Sequence, residues 1–315
     1  MNKWQKIGLA ASICGATLTT VHLINKFIFS TATAKGITNN RVYSTYPWKF
    51  GDINYCSYGE GSPILLIHDL NSYSSLYEWD NVIDELSKNH KVYAIDLLGC
   101  GKSDKPYLTY TTYMYTQLIA DFINCVIREK TDVIVSGSSA PMVIASAFNN
   151  KDVINKIVLV SPISIKSALI GPNKQSKITR FILETPIIGT LVYNICQSKS
   201  SINKELKNDA FADGVVPCDF LDAYYENSHI NGSSCKHLFT SKKCHYTTIS
   251  LSRLLPAINN SIFIISGELD NNTRILEEYT TANNAIETFS IPNSKKLPQI
   301  EEPEEFVKQV EIFLA

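Results

Sequence analysis

Residues 132–148, DVIVSGSSAPMVIASAF, set the reading of the whole chain. Val133, Ile134 and Val135 form a short unbroken apolar run, the pattern of a strand buried on both faces. Gly137-Ser138-Ser139-Ala140-Pro141 follows, and then a segment with the apolar spacing of a helix. Strand, sharp turn of small residues, helix is the setting in which G-x-S-x-G presents a nucleophilic serine at the top of a sheet. The turn is expected to lift Ser139 out of the sheet on strained backbone, with small neighbours leaving room for it. The helix behind it favours negative charge at its N-terminus. Pro141 stands where the pattern would end in glycine, and proline suits a first helical turn, where its missing N–H would go unpaired anyway. The N–H of Ala140, the expected oxyanion donor, is untouched by that change. A strand–serine–helix turn with no chemistry has the same local pattern, so the motif needs others beside it.

A chain of 315 residues fits one large α/β domain with an insertion. Its hydrophobic content of 44% is enough for a sizeable core, and a net charge of −1 argues against a nucleic-acid partner. The eight cysteines are scattered without a C-x-x-C pair, so neither a redox motif nor a dense disulfide framework is indicated.

Residues 7–29, IGLAASICGATLTTVHLINKFIF, are mostly apolar and close to the roughly 20 residues that span a bilayer. His22, Asn25 and Lys26 interrupt the end of the run, where Lys26 can snorkel to the interface. An uncleaved anchor over 1–29 is expected, attached to the membrane by a single pass. The rival reading is a cleaved signal ending near Ala32-Thr33-Ala34. No polar stripe supports a buried amphipathic helix. Lys3 and Lys6 before the segment balance Lys26, Lys35 and Arg41 at its end and after it, so orientation is left open. Residues 30–47 then read as a polar linker, and 48–315 as the folded domain.

Strand patterns at 48–55 and 63–68 are joined by the turn Tyr58-Gly59-Glu60-Gly61. Helical spacing at 76–87 and 112–128 alternates with strands at 91–95, 133–135 and 156–160. The rhythm breaks from 161 to 257. Only helical patterns, at 178–183, 187–195, 220–225 and 249–255, occur there between polar loops. A helical cap over 162–257 is expected. Strand 261–266, helix 273–281, strand 286–291 and helix 304–314 resume the alternation. This pattern predicts an α/β fold with a mostly parallel central sheet flanked by helices.

Five segments stand at the ends of the expected strands: ILLIHDLNSYSS (64–75), VYAIDLLGCGKSDKP (92–106), SGSSAP (136–141), FIISGELD (263–270) and IPNSKKLPQIEEPEEF (291–306). Together and in this order they resemble the signature segments of the α/β-hydrolase-fold superfamily, of the esterase, epoxide hydrolase and haloalkane dehalogenase type. The resemblance covers roughly 48–315. It implies that the first segment makes the oxyanion loop, the third the nucleophile turn, the fourth carries the triad acid and the fifth the triad histidine. Carried over residue by residue, it places Ser139 as nucleophile and Asp270 as acid, with the amides of Leu70 and Ala140 as oxyanion donors. Lys296 falls at the histidine position, because SKKLP (294–298) stands where the family reads S-G-H-x-P. Asp69 replaces the glycine after His68. None of the six histidines lies in the last loop.

A serine hydroxyl needs a base to take its proton, and histidine suits that role with a pKa near neutral. A lysine with a pKa of about 10.4 is protonated, and a carboxylate such as Asp270 beside it favours the charged form. Loss of the base costs on the order of a millionfold in serine-triad turnover. A carboxylate at Asp69 opposes charge developing on an oxyanion. The expectation is a membrane-anchored, hydrolase-like protein of the carboxylic-ester-hydrolase type, for esters or similar small apolar substrates, with activity lost or atypical. Atypical activity would use a base from the cap, such as His229 or His245. The alternative is a non-catalytic protein on the same fold, binding a small apolar molecule under the cap or tethering a partner at the membrane. Asp270 and Lys296 are expected to form an ion pair. No metal or cofactor is expected: Cys235, His237, Cys244 and His245 match no zinc spacing, and a Cys235–Cys244 disulfide or free thiols is the reading there. Tyr224 and Tyr225 are read as packing or as lining the pocket below the cap.

Overall fold

In the computed structural model, which describes residues 2–315, the apolar runs assemble into one mixed sheet; Met1 of the expected anchor lies outside the described residues. The strands are β1 (Ser44–Trp48), β2 (Gly51–Tyr58), β3 (Pro63–Ile67), β4 (Lys91–Ile95), β5 (Thr131–Ser136), β6 (Ile154–Val160), β7 (Ile262–Gly267) and β8 (Glu287–Ile291). Their order is β1-β2-β4-β3-β5-β6-β7-β8. β1, β2 and β4 pair antiparallel and all other neighbours parallel. The helices in chain order are α1 (Lys3–Ala32), α2 (Asp80–Leu86), α3 (Thr112–Phe122), α4 (Ala140–Asn149), α5 (Ile165–Ala168), α6 (Lys174–Glu184), α7 (Ile188–Cys196), α8 (Lys199–Asp209), α9 (Cys218–Asn227), α10 (Lys236–Lys243), α11 (Thr273–Ala282), α12 (Pro298–Glu301) and α13 (Pro303–Leu314).

Every residue of β3, β5 and β7 is buried, because helices cover both faces of the sheet. Side chains alternate between the faces with the period of a strand. Leu65, Ile67, Val133, Val135, Leu159 and Ile264 pack with Leu118 and Phe122 of α3, Val143 of α4 and Tyr279 of α11. Ile64, Leu66, Ile134, Val158 and Ile265 pack on the other side with Trp79, Ile83 of α2, and Phe306 and Val310 of α13.

Three elements depart from the expected pattern. β1 falls inside the expected linker, so the domain starts at Ser44; it is a half-exposed edge strand containing Pro47, and it lacks the apolar alternation that marks a strand in sequence. α8 and α10 fill cap regions with no clear helical pattern. α8 (KSSINKELKND) buries only Ile202 and Leu206, which join Phe211, Phe220 and Tyr224 against Tyr73 and Leu297 of the sheet domain. All helices from α5 to α10 lie between β6 and β7, as a helical insertion there requires.

α1 is long and apolar enough to cross a membrane, and it stands almost wholly exposed as far as Ile24. Its last turns are bound to the cap. Asn25 is buried; its Nδ2 donates to the Ile187 carbonyl at 3.1 Å and its Oδ1 accepts from Asn194 Nδ2 at 2.9 Å. Phe29 packs on His229 with ring centroids 5.4 Å apart. The segment that follows is held by Glu226 of α9, whose carboxylate accepts from the Ile37 N–H and from Thr38 Oγ1, both at 2.9 Å. Replacing Glu226 by Ala is expected to cost about 1–3 kcal/mol of local stability, because a half-buried N–H and a buried hydroxyl lose a charged acceptor. Limited proteolysis between residues 33 and 43 should speed up accordingly, and an unchanged cleavage rate would contradict this.

Candidate active site

The decisive turn is set by how far β5 stays paired. Its last sheet partner is Ser136, opposite Val160 of β6. Gly137, with φ +55°, opens a single 3₁₀ turn over Gly137–Ser139, and α4 starts at Ala140. The strained, left-handed position between strand and helix is therefore Gly137, whereas Ser139 has φ −81°. A Cβ on Gly137 would lie 2.4 Å from Oδ1 of Asp69. That carboxylate fills the space a side chain at the apex would occupy.

Ser139, expected at the apex, lies beneath the cleft. It is fully buried, its Oγ donates to the His68 carbonyl at 2.7 Å, and it is absent from the cleft wall. The row Gly-Ser-Ser satisfies the sequence pattern at Ser139, but the turn comes two residues earlier because sheet pairing ends at Ser136. The two residues expected as oxyanion donors are bonded otherwise. The Ala140 N–H is spent on the Gly137 carbonyl inside the turn. Leu70 presents its carbonyl to the site, accepting from Lys242 Nζ of α10. The amide that faces the cleft is that of Ser138, and it donates to Asp69 Oδ1 at 2.6 Å.

Asp69 is the centre of a polar cluster. The same Oδ1 accepts from Ser138 Oγ at 2.6 Å, and Oδ2 accepts from Asn71 Nδ2 at 2.6 Å. Lys242 Nζ donates to Asn71 Oδ1 at 2.7 Å and to Ser138 Oγ at 3.1 Å. Burial pushes the Asp69 carboxyl up, but the Lys242 charge and the Ser138 hydrogen bonds outweigh burial, so it stays below the usual carboxylate range. Glu78 behaves in the opposite way. Its carboxyl meets the Asp69 N–H at 3.2 Å, the Tyr224 hydroxyl at 3.4 Å and Gln299 Nε2 at 3.0 Å. Burial first, and the Asp69 charge second, push it up to about 8.

These groups open into a cleft of about 450 Å³ between the sheet edge and the cap. Asp270, just after β7, and Lys296, in the loop after β8, both line it, so the structure gathers the two near Ser138 as the fold requires. The expected Asp270–Lys296 ion pair is not formed: among the described residues no such contact lies within 4.0 Å. The last loop explains this, since the Lys296 backbone is tied to the cap by its N–H to the Ala210 carbonyl at 3.1 Å. Burial raises the Asp270 carboxyl, with Lys296 and Lys295 acting against it only at a distance. No histidine lines the cleft. His68 is buried, with Nε2 accepting from the Leu97 N–H at 3.1 Å, and His229 packs against Phe29 and Tyr225 inside the cap. Tyr224 lines the cleft, while Tyr225 belongs to that packing. Cys235 and Cys244 are free thiols bonded to the carbonyls of Ile230 and Ser176. Ser138, Lys242 and Glu78 are the residues that sequence reasoning missed. Glu78 alone carried a signal, as a charge wedged between apolar neighbours in LYEW.

A model of the alpha/beta hydrolase family matches residues 64–309. The chain belongs to the alpha/beta hydrolase family. An uncharacterized protein of Mycobacterium tuberculosis (strain ATCC 25618 / H37Rv) is 29% identical over 103 residues, which is 33% of this chain and 30% of its own length. The chain thus spans about a third of the length of the curated relatives it matches. Among solved structures, a serine hydrolase involved in carbazole degradation superposes with a TM-score of 0.71 at 17% identity, over 87% of this chain and 98% of its own. A membrane phospholipase A, a bacterial virulence factor, superposes with a TM-score of 0.68 at 16% identity, over 99% of this chain and 96% of its own. At these identities the superpositions establish the fold. Within that alpha/beta hydrolase fold the turn after β5 carries glycine at its apex and a carboxylate on its amide.

Glu78 makes stability depend on pH in a definite direction. Between the unfolded value near 4.5 and about 8, the folded protein holds a proton that the unfolded chain has released. Its contribution to stability therefore falls as pH rises through that window and levels off above it. Chemical denaturation of the natural protein and of Glu78→Gln from about pH 5 to pH 8 should show a gap that shifts in favour of the variant with rising pH, by on the order of 3 kcal/mol. A gap independent of pH would show that Glu78 is ionised in the fold.

Proposed function

We propose that this alpha/beta hydrolase family member is held at a membrane by α1, has lost serine-hydrolase chemistry, and uses the cleft under the cap to bind a small, largely apolar molecule. The observation that carries this is the Asp69 carboxylate on the Ser138 amide at 2.6 Å, at the turn where an oxyanion would need that donor. A fixed negative charge there disfavours the transition state of acyl transfer. Gly137 at the apex offers no nucleophile, and Lys296 offers no neutral imidazole. Tyr73, Ile163, Leu206 and Leu297 give the cleft apolar walls for a ligand body, and its carboxylates suit a polar end.

A second reading has one observation behind it: Lys242 Nζ lies 3.1 Å from Ser138 Oγ, as in serine–lysine pairs. The hydrogen bonds weigh against it. The single hydroxyl proton of Ser138 goes to Asp69 Oδ1 at 2.6 Å, so Lys242 Nζ, which also donates to Leu70 O and Asn71 Oδ1, meets Ser138 Oγ as a donor and not as the acceptor of its proton.

A fluorophosphonate probe separates the two readings. The natural protein should remain unlabelled. Adding Gly137→Ser, Asp69→Gly and Lys296→His together should restore an apex hydroxyl, a free amide and a base, with labelling at position 137. Gly137→Ser alone should not label, because its Cβ meets the Asp69 carboxylate. Rapid labelling of the natural protein at Ser138 would overturn the loss of activity and favour the serine–lysine reading.

A further inference from the structure

One hairpin of the cap turns its apolar side outward. On α6, Ile178, Phe181 and Ile182 are 64%, 75% and 44% exposed, at the i, i+3, i+4 spacing of a single helix face. On α7, Ile188 and Ile195 are 47% and 61% exposed and lie two turns apart on one face. The two helices pack backbone to backbone at Gly189, where a Cβ would come within 2.1 Å of the Leu183 carbonyl. Single exposed apolar residues are ordinary, but five on one hairpin form a patch that needs a partner. Exposed Lys174 and Lys177 stand on the same α6.

The position of α1 says what that partner is. Asn25 bonds the Ile187 carbonyl in the α6–α7 turn and Asn194 of α7. His22, Asn25 and Lys26 face Pro186, Ile187 and Thr190 across a shared groove. The polar break in α1 at His22, Asn25 and Lys26 therefore lies at the level of the α6–α7 hairpin. Residues 4–23 rise about 30 Å as a helix, the thickness of a hydrocarbon core. If they cross a bilayer, the hairpin is brought to its surface.

We infer that the outward face of the α6–α7 hairpin sits in the interfacial layer of the bilayer that α1 crosses, with Lys174 and Lys177 against anionic headgroups. This rests on α1 being a membrane span. The apolar face then loses water contact as in other interfacial helices, and the two lysines add attraction to an anionic surface. The cap is held to lipid by the hairpin as well as through α1.

The test uses the full chain in phosphatidylcholine vesicles containing phosphatidylglycerol, with the photo-crosslinker benzoylphenylalanine placed at one position at a time. Leu18 reports the span and Phe181 the hairpin. Ile312 is the control; it is exposed near the end of α13, and the Phe313 and Leu314 carbonyls there bond Lys156 at the start of β6, the edge of the sheet opposite the cap. Phe181 should capture lipid as Leu18 does, and Ile312 at least roughly tenfold less. Omitting phosphatidylglycerol should lower capture at Phe181 and leave Leu18 unchanged; equal capture would remove the role given to the lysines. Lipid capture at Leu18 without any at Phe181 overturns the docking and leaves the span standing. Capture at neither overturns both. A crosslinked dimer at Phe181 in place of lipid assigns the patch to a second copy of the chain and overturns the inference.

Discussion

A buried carboxylate bound to a backbone amide organises this protein's cleft. Asp69 follows the end of β3, reaches the Ser138 amide after β5, and is stabilised at a distance by the charge of Lys242 from the cap, which bonds its partners Ser138 and Asn71. Three separate parts of the chain therefore meet on one charge. An isolated buried carboxylate is costly, and it persists here because donors surround it: two from Ser138 and one from Asn71, with an ammonium alongside. Gly137 follows from the same contact, since any side chain there would collide with the carboxylate.

The neighbouring acid completes the electrostatics. Asp69 keeps its charge because donors and Lys242 stabilise it, and Glu78 a few ångströms deeper gives up its charge because burial and Asp69 both act against it. The site thus holds one fixed anion and one neutral acid, where acyl transfer needs a vacant donor pair and a neutral base. Pocket shape, apolar walls and cap remain. That combination is the ground for the proposal that the cleft retains a ligand in place of turning over an ester.

The strands buried on both faces are legible in the sequence, because VIV and IVLV admit few other structures once helices alternate with them. The order of the five signature segments carries the family fold, and the positions of Asp270 and Lys296 at the cleft follow from it. Other features are invisible for physical reasons. β1 is an edge strand with one solvated face and a proline, α8 is a largely polar helix that buries only Ile202 and Leu206, and α10 buries mostly polar residues, with Leu238 alone reaching the main core. The register of the elbow depends on where β5–β6 pairing stops, which three consecutive small residues, Gly137-Ser138-Ser139, leave undetermined. Lys242 lies more than 100 residues from Ser138 in sequence and meets it only through the cap's packing. The missing Asp270–Lys296 pair has the same origin, in a loop whose backbone is bonded to the cap.

The contact between Asp69 and the turn can be observed directly through the Ser138 amide proton. Labelling glycine carbonyls with ¹³C and serine amides with ¹⁵N selects the Gly–Ser pairs, of which the chain has three, at 61–62, 137–138 and 232–233. In acid titration of the full chain in micelles, the 137–138 amide should be strongly downfield and should stay there as pH falls through the ordinary aspartate range near 3.8, since the Asp69 carboxyl lies below it. In Asp69→Gly the signal should move upfield and lose its acid transition. An amide in the natural protein with an ordinary shift, unaffected by Asp69→Gly, would mean that the turn's donor is free, and the account of a carboxylate-blocked cleft would be wrong.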